Sequence, residues 1–263
     1  MEGLESTHEY WNEVFEDLRR HPQPTWRAYC DAVHGALISR WWSGTPKDRL
    51  LKTDLYEEAM GDGLSSCLQG CARQVFGMDC SSHVAAVAGS RSNGLRSLAA
   101  DVRQLPFGAA TFDGVISIST LDHFVAREDL IRGLHEIARV MCPGGLLILT
   151  LDNLANPLIR LRQWLPFRFL NRLGIVPYYV GYTCDAKGLQ GMLIEAGFDL
   201  LETSTVSHCP RVLVVPLARW ADRRGKPQTR ARLCRILMRF ERLADWATRF
   251  RTGNFIAVKA VKG

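Results

Sequence analysis

The 263-residue sequence has no Cys-x-x-Cys pair, no apolar signal core near its start and no uninterrupted hydrophobic stretch of membrane-spanning length. The first absence argues against a thiolate zinc site or a disulfide framework. Free buried thiols account better for the eight cysteines, of which only Cys67 and Cys71 are spaced to share a helix face, and no metal is expected. The other two absences make the cytoplasm the expected location. Internal repeats and low-complexity tracts are also missing. A hydrophobic content of 47% with mixed charges indicates an ordinary folded core, in a chain long enough for one large α/β domain with additions.

Acidic residues become scarce toward the C-terminus. Residues 1–60 hold 7 basic and 11 acidic side chains, residues 61–156 hold 7 and 9, and residues 157–263 hold 19 and 7. The net charge of +6 therefore resides in the last part alone. Such asymmetry attracts an acidic substrate, an anionic membrane surface or nucleic acid, against the commoner reading of a solvated basic helix.

Ser6-x-x-Glu9 reads as a capping box opening a helix with Tyr10/Trp11, Val14/Phe15 and Leu18 on its apolar face. His21-Pro22-Gln23-Pro24 stops it, and a second helix carries Trp26, Tyr29, Val33, Leu37 and Trp41. Residues 1–47 thus read as a helical N-terminal cap, and 48–263 as the main domain with lid insertions near 154–184 and 209–250. From residue 49 short apolar runs alternate with helical ones, the pattern of a parallel sheet covered on both faces. Strands are expected near 49–55, 74–79, 97–100, 112–119, 145–151 and 198–206, with FIAVKAVK as the last. Helices are expected near 62–72, 82–90, 127–141, 186–196 and 229–250, the fourth ended by Gly197.

In an open α/β sheet ligands bind beyond the carboxyl ends of the strands. The residues there are Asp54, Glu57 and Glu58, then Asp79-Cys80, Asp101-Val102, Ser119 to His123 and Asp152-Asn153. Asp79 follows Asp54 by 25 positions, near the spacing at which an acidic residue receives ribose hydroxyls. What the first loop lacks is glycine. A dinucleotide brings a pyrophosphate to that loop, and three carboxylates within five residues would repel it. NAD, FAD and ATP are disfavoured, whereas S-adenosylmethionine brings a sulfonium and an ammonium that suit an acidic loop.

The succession DLYEEA, FGMDCS, AADVRQLPF, FDGVISISTLDHF and RVMCPGGLLILTLDN resembles the class I S-adenosylmethionine-dependent methyltransferases, in particular their "type 11" small-molecule branch. The resemblance covers roughly residues 48–200. It implies a Rossmann-like, mostly parallel seven-stranded sheet with a C-terminal antiparallel strand, and S-adenosylmethionine as cofactor. It further implies that Asp79, followed by Cys80, holds the ribose and that Asp101 with the Val102 backbone meets the adenine edge. Thr53, Asp54, Glu57 and Glu58 would lie against the methionine portion, and Ser117 and Ser119 would approach from the fourth strand. The family's Gly-x-Gly is displaced, since Gly61 and Gly63 arrive late and side-chain carboxylates would have to replace backbone contacts.

Methyl transfer needs alignment and, for an oxygen or nitrogen nucleophile, a proton acceptor. His123 beside Asp122 offers a general base, against the alternative of a capping Asp and a packed His. Asp152 and Asn153 read equally as substrate contacts or as an Asx turn before Pro157. His208 is expected at the surface and His135 as an ordinary helix residue. The basic, aromatic segment from Arg160 to Tyr182 reads as a substrate lid, a membrane-surface contact or core with arginines at its rim. Arg235, Arg239 and Arg242 share a face of the late helix. The partner expected is a small molecule, anionic or lipid-linked, with peripheral membrane contact open and no RNA-binding module visible. Two rival readings are a non-catalytic binding protein that keeps the fold and a nicotinamide-dependent oxidoreductase.

Overall fold

A computed structural model describes residues 8–42, 44–173 and 175–263. Ser6 of the capping box lies outside them. Helices α1 (His8–Arg20) and α2 (Pro24–Trp41) lead into β1 (Lys47–Lys52), followed by α3 (Tyr56–Met60) and α4 (Ser65–Cys71). Next come β2 (Ala72–Asp79), α5 (Ser82–Arg91), β3 (Leu95–Ala99), β4 (Phe112–Ile118), α6 (Arg127–Val140) and β5 (Met141–Asp152). Short helices α7 (Pro157–Trp164) and α8 (Phe167–Arg172) then precede α9 (Ala186–Glu195) and β6 (Phe198–Val206). Helices α10 (Arg211–Arg224), α11 (Pro227–Leu237) and α12 (Arg249–Thr252) and strand β7 (Phe255–Lys262) complete the chain. Two 3₁₀ segments, Leu121–His123 and Met238–Asp245, interrupt the pattern.

The seven strands lie in the order β3-β2-β1-β4-β5-β7-β6. The first five are mutually parallel, and β7 runs antiparallel between β5 and β6. The centre of the sheet follows from composition: Leu147, Ile148, Leu149 and Leu151 of β5 and Val115 and Ile116 of β4 are fully buried, as strands covered on both faces must be. One face packs on Leu130, Leu134 and Ile137 of α6 and Leu189 and Leu193 of α9. The other packs on Tyr29, Val33, Leu37 and Trp41 of α2 and Leu68 of α4. Helix α2 is therefore part of the sheet's covering layer, while α1 packs against α5 and closes a smaller core around Phe15, Leu55 and Val84.

Caps formed where side chains allow them. Ser81 accepts from the Val84 amide at 3.1 Å to start α5, and Asp185 accepts from the Gly188 amide at 2.9 Å to start α9. Gly197 ends α9 at φ 87°, a left-handed angle suited to glycine.

Two expectations need correction. The helix expected over 229–250 is α11, then a 3₁₀ run, then α12, so Arg235 lies on α11 whereas Arg239 and Arg242 lie on the 3₁₀ run. Helix α10 was not expected, because Pro216 sits inside it and a mid-helix proline reads as a loop.

The β1 and β4 strands are neighbours although they are separated in sequence by two other strands. Chain direction around the sheet reverses there, which opens a crevice at the carboxyl ends.

Candidate active site

That crevice holds a cavity of about 160 Å³. Its floor is Thr53, Asp54, Asp79, Asp101 and Ser119 from the strand ends, and its roof is Trp11, Val14, Phe15 and Leu18 from α1. The amphipathic stripe of the first helix thus spends its apolar face on the cavity.

The acidic first loop is organised from within. The ammonium of Lys52, at the end of β1, is fully buried and donates to Glu57 and Glu58 at 2.8 Å each and to the Asp54 carbonyl at 2.6 Å. The other Glu58 oxygen accepts from the Leu64 amide at 3.0 Å, and Glu58 is as inaccessible as Lys52. Burial opposes the charge on Lys52, but Glu57, Glu58 and Asp54 more than offset it and hold its pKa above the usual value. Burial would likewise raise Glu57, and the charge of Lys52 overcomes it, holding Glu57 below the usual carboxylate range. Asp54 behaves oppositely: burial, and then the nearby Glu57 charge, push it well above its ordinary value. Glu58 therefore does not line the cavity; it is a counter-ion of Lys52, and only Asp54 and Glu57 face the crevice.

The missing glycines have been relocated. Gly63 takes φ 51°, and a Cβ there would come within 2.8 Å of the Glu57 carbonyl carbon and the Glu58 nitrogen. The chain therefore folds back over α3 only because Gly63 is bare. Gly77 on β2 leaves room for Leu55, whose Cδ2 would lie 2.4 Å from a Cβ at that position. A bulky first loop is accommodated by a glycine on the adjacent strand.

Asp79 stands at the end of β2 with each oxygen anchored, one by the Leu55 amide at 3.0 Å and the other by the Ser81 amide at 2.8 Å. Burial pushes it up to about 6, against the lowering effect of those amides. Asp101 forms a bidentate pair with Arg103, with Nη2 to Oδ2 at 2.6 Å. Burial would raise Asp101, but the Arg103 hydrogen bonds outweigh it and keep the carboxyl below its ordinary value. Cys80 and Val102 also line the cavity.

Ser117 does not, because its hydroxyl accepts from Thr53 at 2.9 Å between β4 and β1. Ser119 does, at φ 47°, and its hydroxyl has no hydrogen-bond partner among the described residues. A serine in the left-handed region with an unsatisfied buried hydroxyl is a strained position at a ligand edge.

His123 also lines the cavity. Its Nδ1 lies 3.3 Å from the Tyr179 carbonyl, which can only accept, so Nδ1 carries the proton and Nε2 keeps its lone pair. Nε2 is 3.9 Å from Oδ1 of buried Asp122, an oxygen with no hydrogen-bond partner among the described residues. Trp11 packs against His123 with ring centroids 4.6 Å apart and the planes tilted by 58°, and Tyr178 meets the same ring edge-on at 5.6 Å. Asp122 itself is behind the wall; burial pushes it up to about 6, with His123 lowering and Asp152 raising it.

Asp152 and Asn153 are not at the cavity. Asp152 pairs with Arg162 of α7 at 2.5 Å. Asn153 donates to the Phe250 and Gly253 carbonyls at 2.7 and 2.9 Å and accepts from the Ala155 amide at 3.0 Å, an Asx turn that ties the fifth strand to the last. His208, expected at the surface, is buried and bonded to Thr252 at 2.8 Å, because α12 folds over it. Sequence reading missed Lys52, Trp11 and Tyr178. Lys52 carried the one available signal, a lysine two positions before the first of three carboxylates.

Comparisons with known proteins bear on the domain and its fold. Residues 59–149 match the family described as "Methyltransferase domain". The chain thus carries a methyltransferase domain over residues 59–149, on the fold of S-adenosylmethionine-dependent methyltransferases. A "Probable S-adenosylmethionine-dependent methyltransferase" of Mycobacterium tuberculosis is 27% identical over 165 residues, 62% of this chain and 55% of that protein. The mouse "Probable tRNA methyltransferase 9B" is 40% identical over 60 residues, and the match spans 23% of this chain and only 13% of that protein's length. Among solved structures, a Thermotoga maritima methyltransferase titled "possible histamine N-methyltransferase" superposes with a TM-score of 0.59 at 15% identity, over 96% of this chain and 99% of that one.

The cofactor of this methyltransferase family is S-adenosylmethionine, and the residues present fit it. Asp79 lines the cavity with lone pairs left over for ribose hydroxyls, and Glu57 faces it with negative charge for the ammonium, beside Asp54. The unpartnered Ser119 hydroxyl is available at the same edge.

Proposed function

We propose that the protein transfers a methyl group from S-adenosylmethionine to an oxygen of a small-molecule acceptor. When bound, the cofactor supplies an electrophilic methyl group on a sulfonium. The reading rests above all on His123: its imidazole lines the cavity with Nε2 left as a proton acceptor, and that nitrogen lies 3.9 Å from the Asp122 carboxylate. A hydroxyl must lose its proton as it is methylated, whereas a neutral amine need not lose one beforehand, so a fixed base suits an oxygen nucleophile. Asp122 stabilises the imidazolium that results, and Trp11 and Tyr178 exclude water. The roof formed by α1 favours a small acceptor over a bulky one. The basic C-terminal part favours an anionic or lipid-linked acceptor.

The test is turnover with a panel of hydroxylated small molecules and amines, on the intact protein and on His123→Ala. Loss of about 10²-fold or more in rate with cofactor affinity nearly unchanged is expected. A parallel loss of rate and affinity contradicts the base assignment, and an N-methyl product contradicts the oxygen acceptor. A second reading, a binding protein that keeps the fold without turnover, draws on the commitment of Glu58 and part of Glu57 to Lys52. Cofactor binding without turnover across the panel would favour it.

A further inference from the structure

Helix α10 is apolar on two faces. Val214, Ala218 and Ala221 are buried, and the helix packs on α2. Val212, Leu213, Leu217 and Trp220 are exposed on the other side, Leu213 to 70%. A helix apolar all round is ordinarily covered.

The same condition recurs on α7 and α8. Leu158, Leu161 and Trp164 recur every third position on α7 and are exposed, Trp164 to 82%, followed by exposed Phe169, Leu173 and Ile175. The two regions meet beside the cavity lining: Arg211, the first residue of α10, interacts with Tyr178, and Phe167 of α8 packs edge-on against the neighbouring Tyr179 at 5.5 Å. The one acidic residue of these helices is Asp222 of α10, whose carboxylate accepts from the Thr25 amide; Asp and Glu are absent from 157–184 and from 203–221. Exposed arginines punctuate both, at Arg160 and Arg172 and at Arg223 and Arg224.

We propose that α7, α8 and the outer face of α10 dock the protein on an anionic lipid bilayer. Exposed aliphatic and tryptophan side chains enter the headgroup and acyl boundary, while arginines meet the anionic headgroups. Charge complementarity identifies the occupant as anionic, and the aliphatic content identifies it as lipid. Most of these exposed side chains are aliphatic and can insert between acyl chains, whereas only Trp164, Phe169 and Trp220 offer a ring on which a nucleic-acid base could stack. Docking on these elements would set the cavity mouth beside the bilayer, and it stands independently of the methyl-transfer reading.

The experiment is co-sedimentation of the full chain with phosphatidylcholine vesicles, with and without about 30% phosphatidylglycerol, the anionic component that supplies the surface potential. It is repeated with Trp164→Ser/Leu213→Ser/Trp220→Ser, a variant changed only at exposed positions whose thermal melting checks the fold. Sedimentation with anionic vesicles only, weakened about tenfold or more in the variant, is the expected result. Three results overturn the proposal: no sedimentation with either vesicle, undiminished sedimentation of the folded variant, or capture by transfer RNA at lower concentration than by anionic vesicles. Should the triple variant fail to fold, each single substitution is measured in the same way.

Discussion

The Lys52 ammonium and the Glu58 carboxylate lie 2.8 Å apart, and neither is accessible to solvent. The pair turns an acidic loop that would repel itself into a fixed floor for the cofactor crevice. Removing one partner leaves the other as an uncompensated buried charge. Lys52→Met is expected to cost about 3–5 kcal/mol in chemical denaturation. The double variant Lys52→Met/Glu58→Gln should recover part of that loss; additive losses would show that the two side chains do not act as a pair.

Asp122 predicts a trade of stability against activity. Its folded pKa, about 6, lies above its unfolded value near 3.8. The folded state therefore favours the neutral acid, an advantage fully present below the unfolded value and lost as pH rises through about 6. At pH 8 the carboxylate is buried at a cost of roughly 3 kcal/mol, from a shift of about two units. Asp122→Asn should thus raise the stability at pH 8 by about that amount, have little effect near pH 3.5, and lower turnover. Equal effects of the substitution at both pH values would show that Asp122 is not held ionised against its environment.

Gly61 and Gly63 should differ sharply. Gly63 needs φ 51° and has backbone within 2.8 Å of a would-be Cβ, whereas nothing lies within 4 Å of one at Gly61. Gly63→Ala is expected to lose about 1–3 kcal/mol and to weaken cofactor binding, and Gly61→Ala to be nearly neutral. Denaturation of the two variants side by side checks the relocation of the glycine; indistinguishable losses would refute it.

Much of this architecture can be read in the sequence, because the apolar run through Leu146–Leu151 and the apolar-rich FIAVKAVK leave few alternatives to the adjacent strands β5 and β7. The strand-end residues Asp54, Asp79, Asp101, Ser119 and His123 do converge on one cavity, since a parallel sheet carries all its carboxyl ends to one side. What the sequence hides is where side chains turn. Lys52 points inward and spends two carboxylates that looked available to a ligand, and Asn153 turns toward residues 250–253, some hundred positions away. Helix α10 was hidden by Pro216, and the burial of His208 by α12, whose four residues carry no periodic signal.

The central claim is that this crevice binds S-adenosylmethionine through Asp79 despite its displaced glycines. Calorimetric titration with S-adenosylmethionine and S-adenosylhomocysteine, on the intact protein and on Asp79→Ala, tests it most directly. The account predicts micromolar binding, about −8 kcal/mol, abolished in Asp79→Ala and weakening as pH falls through the Asp79 value of about 6. The absence of binding by the folded intact protein, or full affinity in Asp79→Ala, would contradict it.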